Sequence, residues 1–301
     1  MVLLPVARHA VAAEPAAAIG VLYPDIGEPY RSIFTKIIEG IEQQAKGRVA
    51  SFAVGTATIG PELATELRRR DLRVVIALGR NGLKAAAALE RALPVVAGGV
   101  LAVPEAEARD FAVHSLTPDP ALLFARLRTL VPGARRVAVV FDPRQNAWLM
   151  RLAREAARAQ GLELLATEAE DLKSALRAYQ GTMATLESRR DALWLPHDST
   201  TVDDSSVLPL VLQEAWDRSF TVISSSVAHV RRGALFSLYP DNLALGRRLG
   251  GAALAALGGA RPSGVLPLKD VLIAANVRAA NHLGLNFAAG QHSFDMVFPE
   301  S

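Results

Sequence analysis

The chain has 301 residues, of which half are hydrophobic, 33 are basic, 30 are acidic and none is cysteine. The missing cysteines exclude disulfides, thiolate nucleophiles and thiolate-bound metals, and the hydrophobic fraction excludes a disordered chain. A net charge of +3 with no basic track interleaved with aromatics leaves no nucleic-acid footprint; Arg68-Arg69-Arg70 and Arg231-Arg232 read as solvated helix ends.

The length suits two domains of roughly 150 residues each. Residues 1–17 carry a small-x-small pattern at Ala10-Val11-Ala12, but their apolar start is broken by Pro5, Arg8 and His9. They read as the remnant of a signal peptide, or else as an Ala/Pro-rich leader, and the first reading implies a periplasmic address. No later run is long and apolar enough to span a bilayer; 250–259 is short and flanked by Arg247, Arg248 and Arg261.

From residue 18 a rhythm of short apolar runs and amphipathic stretches sets in. Strands are predicted at 18–23, 49–54, 72–78, 94–97 and 111–115. Between them lie helices at 30–46, with Ile33, Phe34, Ile37, Ile38 and Ile41 at helical spacing, at 61–70, where Pro61 sits in the first turn, and at 81–93. A helix at 120–130 closes on Pro132-Gly133. The pattern then restarts: strand 136–141, helix 146–160, strand 162–166, helix 172–188, strand 192–196, helix 205–218 with a serine cap, strand 221–224, a short helix to Arg232, strand 233–238 and helix 241–257. One last strand at 266–274 and a helix at 276–283, closed by Gly284, precede a stretch from 286 to 301 with no clear period. Apolar strands alternating with helices predict an α/β fold of two doubly wound lobes. Each lobe has a parallel sheet covered on both faces, and a cleft lies between them.

The chemistry of catalysis is sparse. Gly79-Arg80-Asn81-Gly82 lies between a strand and a helix but lacks both the Walker spacing and the third glycine of a dinucleotide fingerprint. There is no G-x-S-x-G elbow. The six histidines are scattered, with no pair at i, i+4, and His197-Asp198-Ser199 is weak evidence because triads are built in space. No catalytic residue, metal ligand or cofactor is therefore expected. In open parallel sheets ligands bind beyond the carboxyl ends of the strands, and the loops there are rich in Gly, Ser, Asn and Asp. Read singly, each such residue is equally a helix cap. As a set on two lobes they point to recognition, with carboxylates such as Asp25, Asp198 or Asp241 suited to an ammonium group and helix starts to an anion.

Several segments carry a resemblance: VVIALG (74–79), LPVVAGGV (93–100), LVPGARRVAVVFDPRQNAW (130–148), DALWLPHDST (191–200), RRGALFSLYPDNLALGRRLG (231–250) and LIAANVRAANHLGL (272–285). The last holds the spacing Asn276, Ala280, Leu283, Gly284. Over 19–285 the chain resembles the periplasmic substrate-binding proteins of ABC transporters with the type I periplasmic-binding fold, in particular the tryptophan/tyrosine-type subfamily. That resemblance implies a two-lobed clamp, with residues 18–116 plus about 240–268 in one lobe and 117–239 plus about 269–301 in the other. The clamp would close on a small polar or anionic solute of the amino-acid or organic-acid class and then dock an ABC permease in the inner membrane. By position, the ligand loops would involve Asp25, Arg80, Asn81, Asn146, Asp198, Ser225 and Asp241, of which Asn146 and Asp198 match the family motifs best. Three first-lobe positions depart from the family pattern: Arg80 follows Gly79 where Gly-Thr is common, Val103-Pro104 replaces Asp-Pro, and His114-Ser115 lies near the place of an Asn-x-Thr-Gly stretch. A guanidinium at Arg80 favours an anionic group, which its fork holds in two bonds. The alternatives are a ligand-sensing module of the same fold and a two-lobed enzyme of the glycosyltransferase type.

Overall fold

The computed structural model describes residues 18–47, 49–55, 61–89, 93–101, 108–109, 111–287 and 293–300. The leader 1–17 and Val103-Pro104 lie outside them. The first unit runs β1 (Ile19–Pro24), α1 (Tyr30–Ala45), β2 (Val49–Val54), α2 (Pro61–Arg69), β3 (Val74–Leu78), α3 (Gly79–Ala87), β4 (Val95–Val100) and β5 (Ala112–Pro118). The second runs α4 (Pro120–Leu130), β6 (Arg136–Phe141), α5 (Pro143–Ala159), β7 (Glu163–Glu168), α6 (Leu172–Thr185), β8 (Asp191–Leu195), α7 (Val207–Arg218), β9 (Thr221–Ser224), α8 (Val227–Arg232) and β10 (Phe236–Pro240). The chain ends with α9 (Asn242–Leu257), β11 (Gly264–Leu268), β12 (Val271–Asn276), α10 (Val277–His282) and β13 (Met296–Phe298).

Two sheets result, ordered β11-β5-β4-β3-β1-β2 and β13-β12-β10-β9-β8-β6-β7. The strands are apolar on both faces because each face is covered. In β3, Val74, Ile76 and Leu78 meet α1 and α9, while Val75 and Ala77 face the layer of α2 and α3. In β6, Val137, Val139 and Phe141 face α4 and α5, while Ala138 and Val140 face α6 and α7. The period-2 alternation of strand side chains thus sorts one apolar run into two cores.

The chain passes between the lobes at β5 to α4, β10 to α9 and β11 to β12. These joins are tied together. The Asp119 N–H donates to Leu268 O at 2.9 Å and the Asp241 N–H to Asp270 O at 3.0 Å. The Arg248 guanidinium grips both oxygens of Asp270.

The structure departs from the sequence reading in five places. The single strand expected at 266–274 is two strands in different sheets, broken at Lys269-Asp270; that charged pair is the sequence's one mark of the change of sheet. The second sheet is not wholly parallel, since β12 runs antiparallel to β10. The stretch near 233–238 starts pairing only at Phe236, because Gly233 at φ +134° terminates α8. The serine expected to cap α7 makes no side-chain cap bond; Asp203 supplies the acceptor, taking the N–H groups of Ser205 and Ser206 at 3.1 and 2.7 Å. The aperiodic tail contributes β13, which pairs with β12.

Candidate functional site

A cleft of about 620 Å³ lies between the lobes at the carboxyl ends of both sheets. Its lobe-one wall is apolar. Helix α1 presents Tyr30, Ile33, Phe34 and Ile37, joined by Leu101 and Leu116. Tyr30 is 61% exposed and Ile33 37%, unusual for large apolar groups unless something covers them. The ring of Phe34 seats on two glycines: a Cβ on Gly79 (φ +66°) would stand 3.2 Å from its Cζ, and one on Gly99 (φ +69°) 3.3 Å from its Cε1. Both positions need glycine for their backbone as well as for this contact. Arg80 follows directly and lines the same wall.

The lobe-two wall is mainly polar, with Gln145, His197, Asp198, Ser199, Asp204, Ser226 and His229 beside the apolar Pro196 and Val202. Its scaffold is a set of internal bonds. Asp198, 5% exposed, accepts from Asp142 N at 2.7 Å and Asn146 Nδ2 at 2.9 Å on one oxygen, and from Thr200 N at 3.0 Å and Thr201 N at 2.9 Å on the other. Asn146 also donates to His197 O at 3.1 Å. Gln145, one residue earlier on α5, reaches out to Thr200 Oγ1 and Ser199.

Asp142 caps α5, accepting from Arg144 N and from the Thr200 hydroxyl at 2.9 Å each. Burial pushes its carboxyl up, but the Arg144 guanidinium and N–H and the Thr200 hydroxyl outweigh it and hold the pKa at about 2, against an ordinary 3.8. A depressed carboxylate contributes stability above its unfolded pKa and loses it as pH falls through the folded one. Denaturation midpoints should therefore fall between about pH 4 and pH 2, and Asp142→Asn should flatten that slope.

Of the residues expected from sequence, Arg80 and Asp198 line the cleft. Asn146 lies directly behind it, 2% exposed. Ser225 is 3% exposed and accepts from Trp194 Nε1 at 3.2 Å, so its neighbour Ser226 faces the cleft instead. Asp241 caps α9 through Ala244 N at 3.0 Å. Asp25 lines a separate cavity between α1 and β2. Asn81 sits in α3 one residue past Arg80, off the cleft lining. Trp148, 5% exposed, is a core residue of the second lobe.

Sequence reasoning missed the α1 shelf and the Asp204–His229 pair. The shelf had a signal: apolar residues in the first turns of a helix that follows a strand stand over the ligand end of the sheet. The pair had none, because 25 residues separate its members.

Ser224, His229 and Asp204 are the residue types of a hydrolase triad and are in contact, at 2.8 Å (Oγ–Nδ1) and 3.0 Å (Nε2–Oδ1). Their exposure is reversed: Ser224 is fully buried and the Asp204 side chain is 67% exposed. A nucleophile must reach substrate while its acid is shielded, and this serine cannot.

Two parallel-sheet lobes with a cleft at the facing strand ends define a type I periplasmic-binding-protein-like fold. A sequence model of the family described as ABC transporter substrate binding protein matches residues 121–288, more than half of the chain. The chain belongs to that family, whose members are solute-binding proteins. Among solved structures, the ligand-free, open form of a substrate-binding protein with adhesive properties from Clostridium difficile is similar at a TM-score of 0.64 and 17% identity, covering 93% of this chain and 99% of that one. An ABC domain from Streptococcus pneumonia in complex with L-Trp is similar at 0.54 and 17%, covering 94% and 100%. A conserved domain protein from Vibrio cholerae is similar at 0.51 and 18%, covering 91% and 96%. A search of curated protein sequences found no match. Among the described residues, no helix is long and apolar enough to cross a membrane.

Proposed function

We propose that the protein is the solute-binding component of an ABC importer, working in the periplasm and delivering its solute to an inner-membrane permease. It captures a small amphipathic solute of the amino-acid or organic-acid class by hinge closure of the two lobes. The observation that supports this is the asymmetry of the cleft: an exposed apolar shelf from α1 with Arg80 beside it, facing a wall of hydrogen-bonding groups. Closure would bury the shelf against the solute's apolar body at about 25 cal/mol per Å², while Arg80 takes its anionic group in two bonds. The streptococcal protein of this fold holds L-Trp, a solute of that general build. The three joins between the lobes, clamped by Arg248 and Asp270, are the natural hinge.

A thermal-shift screen of amino acids, organic acids and phosphorylated solutes tests the reading. A solute at a hundred times its Kd should stabilise the protein by about 2.7 kcal/mol. Arg80→Ala should then cost about tenfold or more in affinity for a carboxylate-bearing solute, the worth of a charged hydrogen bond. Unchanged affinity would remove Arg80 from the site.

A further inference from the structure

The cleft has an anionic side that the solute-binding reading leaves unused. Asp198 is committed to four internal donors, Asp241 to its helix and Asp25 to another cavity. Asp204 is different. It lines the cleft with its side chain 67% exposed, yet it is held at three points. Arg232 donates to its backbone carbonyl at 2.9 Å, and Asp203 braces the turn that follows. His229 Nε2 lies 3.0 Å from its Oδ1.

Behind His229 the network assigns the tautomer. The Asp204 carboxylate beside Nε2 can only accept, which leaves Nδ1 to take the Ser224 hydroxyl proton, 2.8 Å away, in preference to the more distant Leu195 O at 3.4 Å. The ring proton then sits on Nε2 and donates to Asp204. Burial holds the His229 ring below its ordinary pKa, against the pull of Asp204. At neutral pH the relay therefore orients the carboxylate without cancelling its charge. His197 stands on the same wall with a buried Nδ1 that has no partner. Burial, with His229 nearby, pushes this ring down to about 4, so it too adds no positive charge. Among the described residues, no group of three or more His, Cys, Asp or Glu could hold a metal ion, which leaves an organic cation as the complement.

We infer that Asp204, oriented by His229 and Ser224, is a subsite for a protonated amine, and that the cleft selects amine-bearing solutes over their des-amino counterparts. This rests on the solute-binding reading. Asp204 would touch the solute; His229 is a positioning residue. The ionisable groups around His229 are Asp204, Arg232 and His197, with Asp198 farther along its own wall and Arg80 and Tyr30 across the cleft. Protonating His229 neutralises the pair, so amine affinity falls on acidification.

Calorimetry on the full chain with each L-amino acid and its des-amino acid decides the matter. At least one amino acid should bind, and its des-amino acid at least tenfold more weakly. Asp204→Asn should narrow that ratio to about twofold. His229→Gln should keep the protein folded and flatten the loss of amine affinity as the pH falls below the ordinary imidazole range. Des-amino acids binding as tightly as their parents, or an unchanged ratio in Asp204→Asn, would overturn the amine subsite and leave the solute-binding reading standing. If no compound of either series binds, the solute class proposed above fails and the subsite fails with it.

Discussion

Gly246→Ala should destabilise the protein by about 3 kcal/mol or more, lowering the melting temperature by roughly 6–12 °C. Helix α9 reaches lobe one across the second join and lies along α1 backbone to backbone. A Cβ on Gly246 would stand 2.0 Å from Ile37 O and 2.9 Å from Gly40 Cα; one on Gly40 would stand 2.1 Å from Leu243 O. Both obstacles are backbone, which cannot swing aside as a flexible side chain does. The helices must separate, and α1 carries the apolar shelf while α9 carries Arg248 of the hinge, so the damage should reach ligand response as well as stability. Gly251, on the same helix with nothing within 4 Å of its added Cβ, is the control. Gly251→Ala should be neutral or stabilise by up to about 1 kcal/mol through helix propensity alone. Equal effects at the two positions would refute the close-packing account.

The contrast between these glycines also shows what a sequence can hold. The alternation of apolar runs and amphipathic stretches made the α/β class and most elements legible, because a covered strand and an amphipathic helix have different periods. Gly246 and Gly251 read alike in sequence; only the position of α1 separates them. The break at Lys269-Asp270 shows in sequence only as a charged pair, which a part-exposed strand also tolerates; that the two halves enter different sheets is set by their neighbours in space. At the site, Arg80 was legible as a charge at a strand end. Asp198 was legible from its motif, but the separate roles of Asp198, Asp204 and Asp241 were not, because these residues differ only in where their hydrogen bonds go, and those partners lie up to 56 residues away.

Asp198→Ala should cost about 3–5 kcal/mol, with the loss read as a lower denaturation midpoint. The side chain is the common acceptor for three backbone N–H groups, at Asp142, Thr200 and Thr201, and for Asn146 Nδ2, and it joins the loop after β6 to the loop after β8. Removing it leaves donors facing one another across a buried gap, each unsatisfied donor costing about 1–3 kcal/mol before water enters from the cleft. Asp198→Asn discriminates further. Its oxygen can still serve Thr200 and Thr201, but its amide nitrogen would face two donors, so it should retain part of the stability. A residue that only contacted solute would instead lose affinity at an unchanged midpoint. The expected pattern is the reverse: both variants shift the midpoint, alanine more than asparagine, and the loss of binding follows the loss of the wall that carries Gln145, Ser199 and His197 into the cleft.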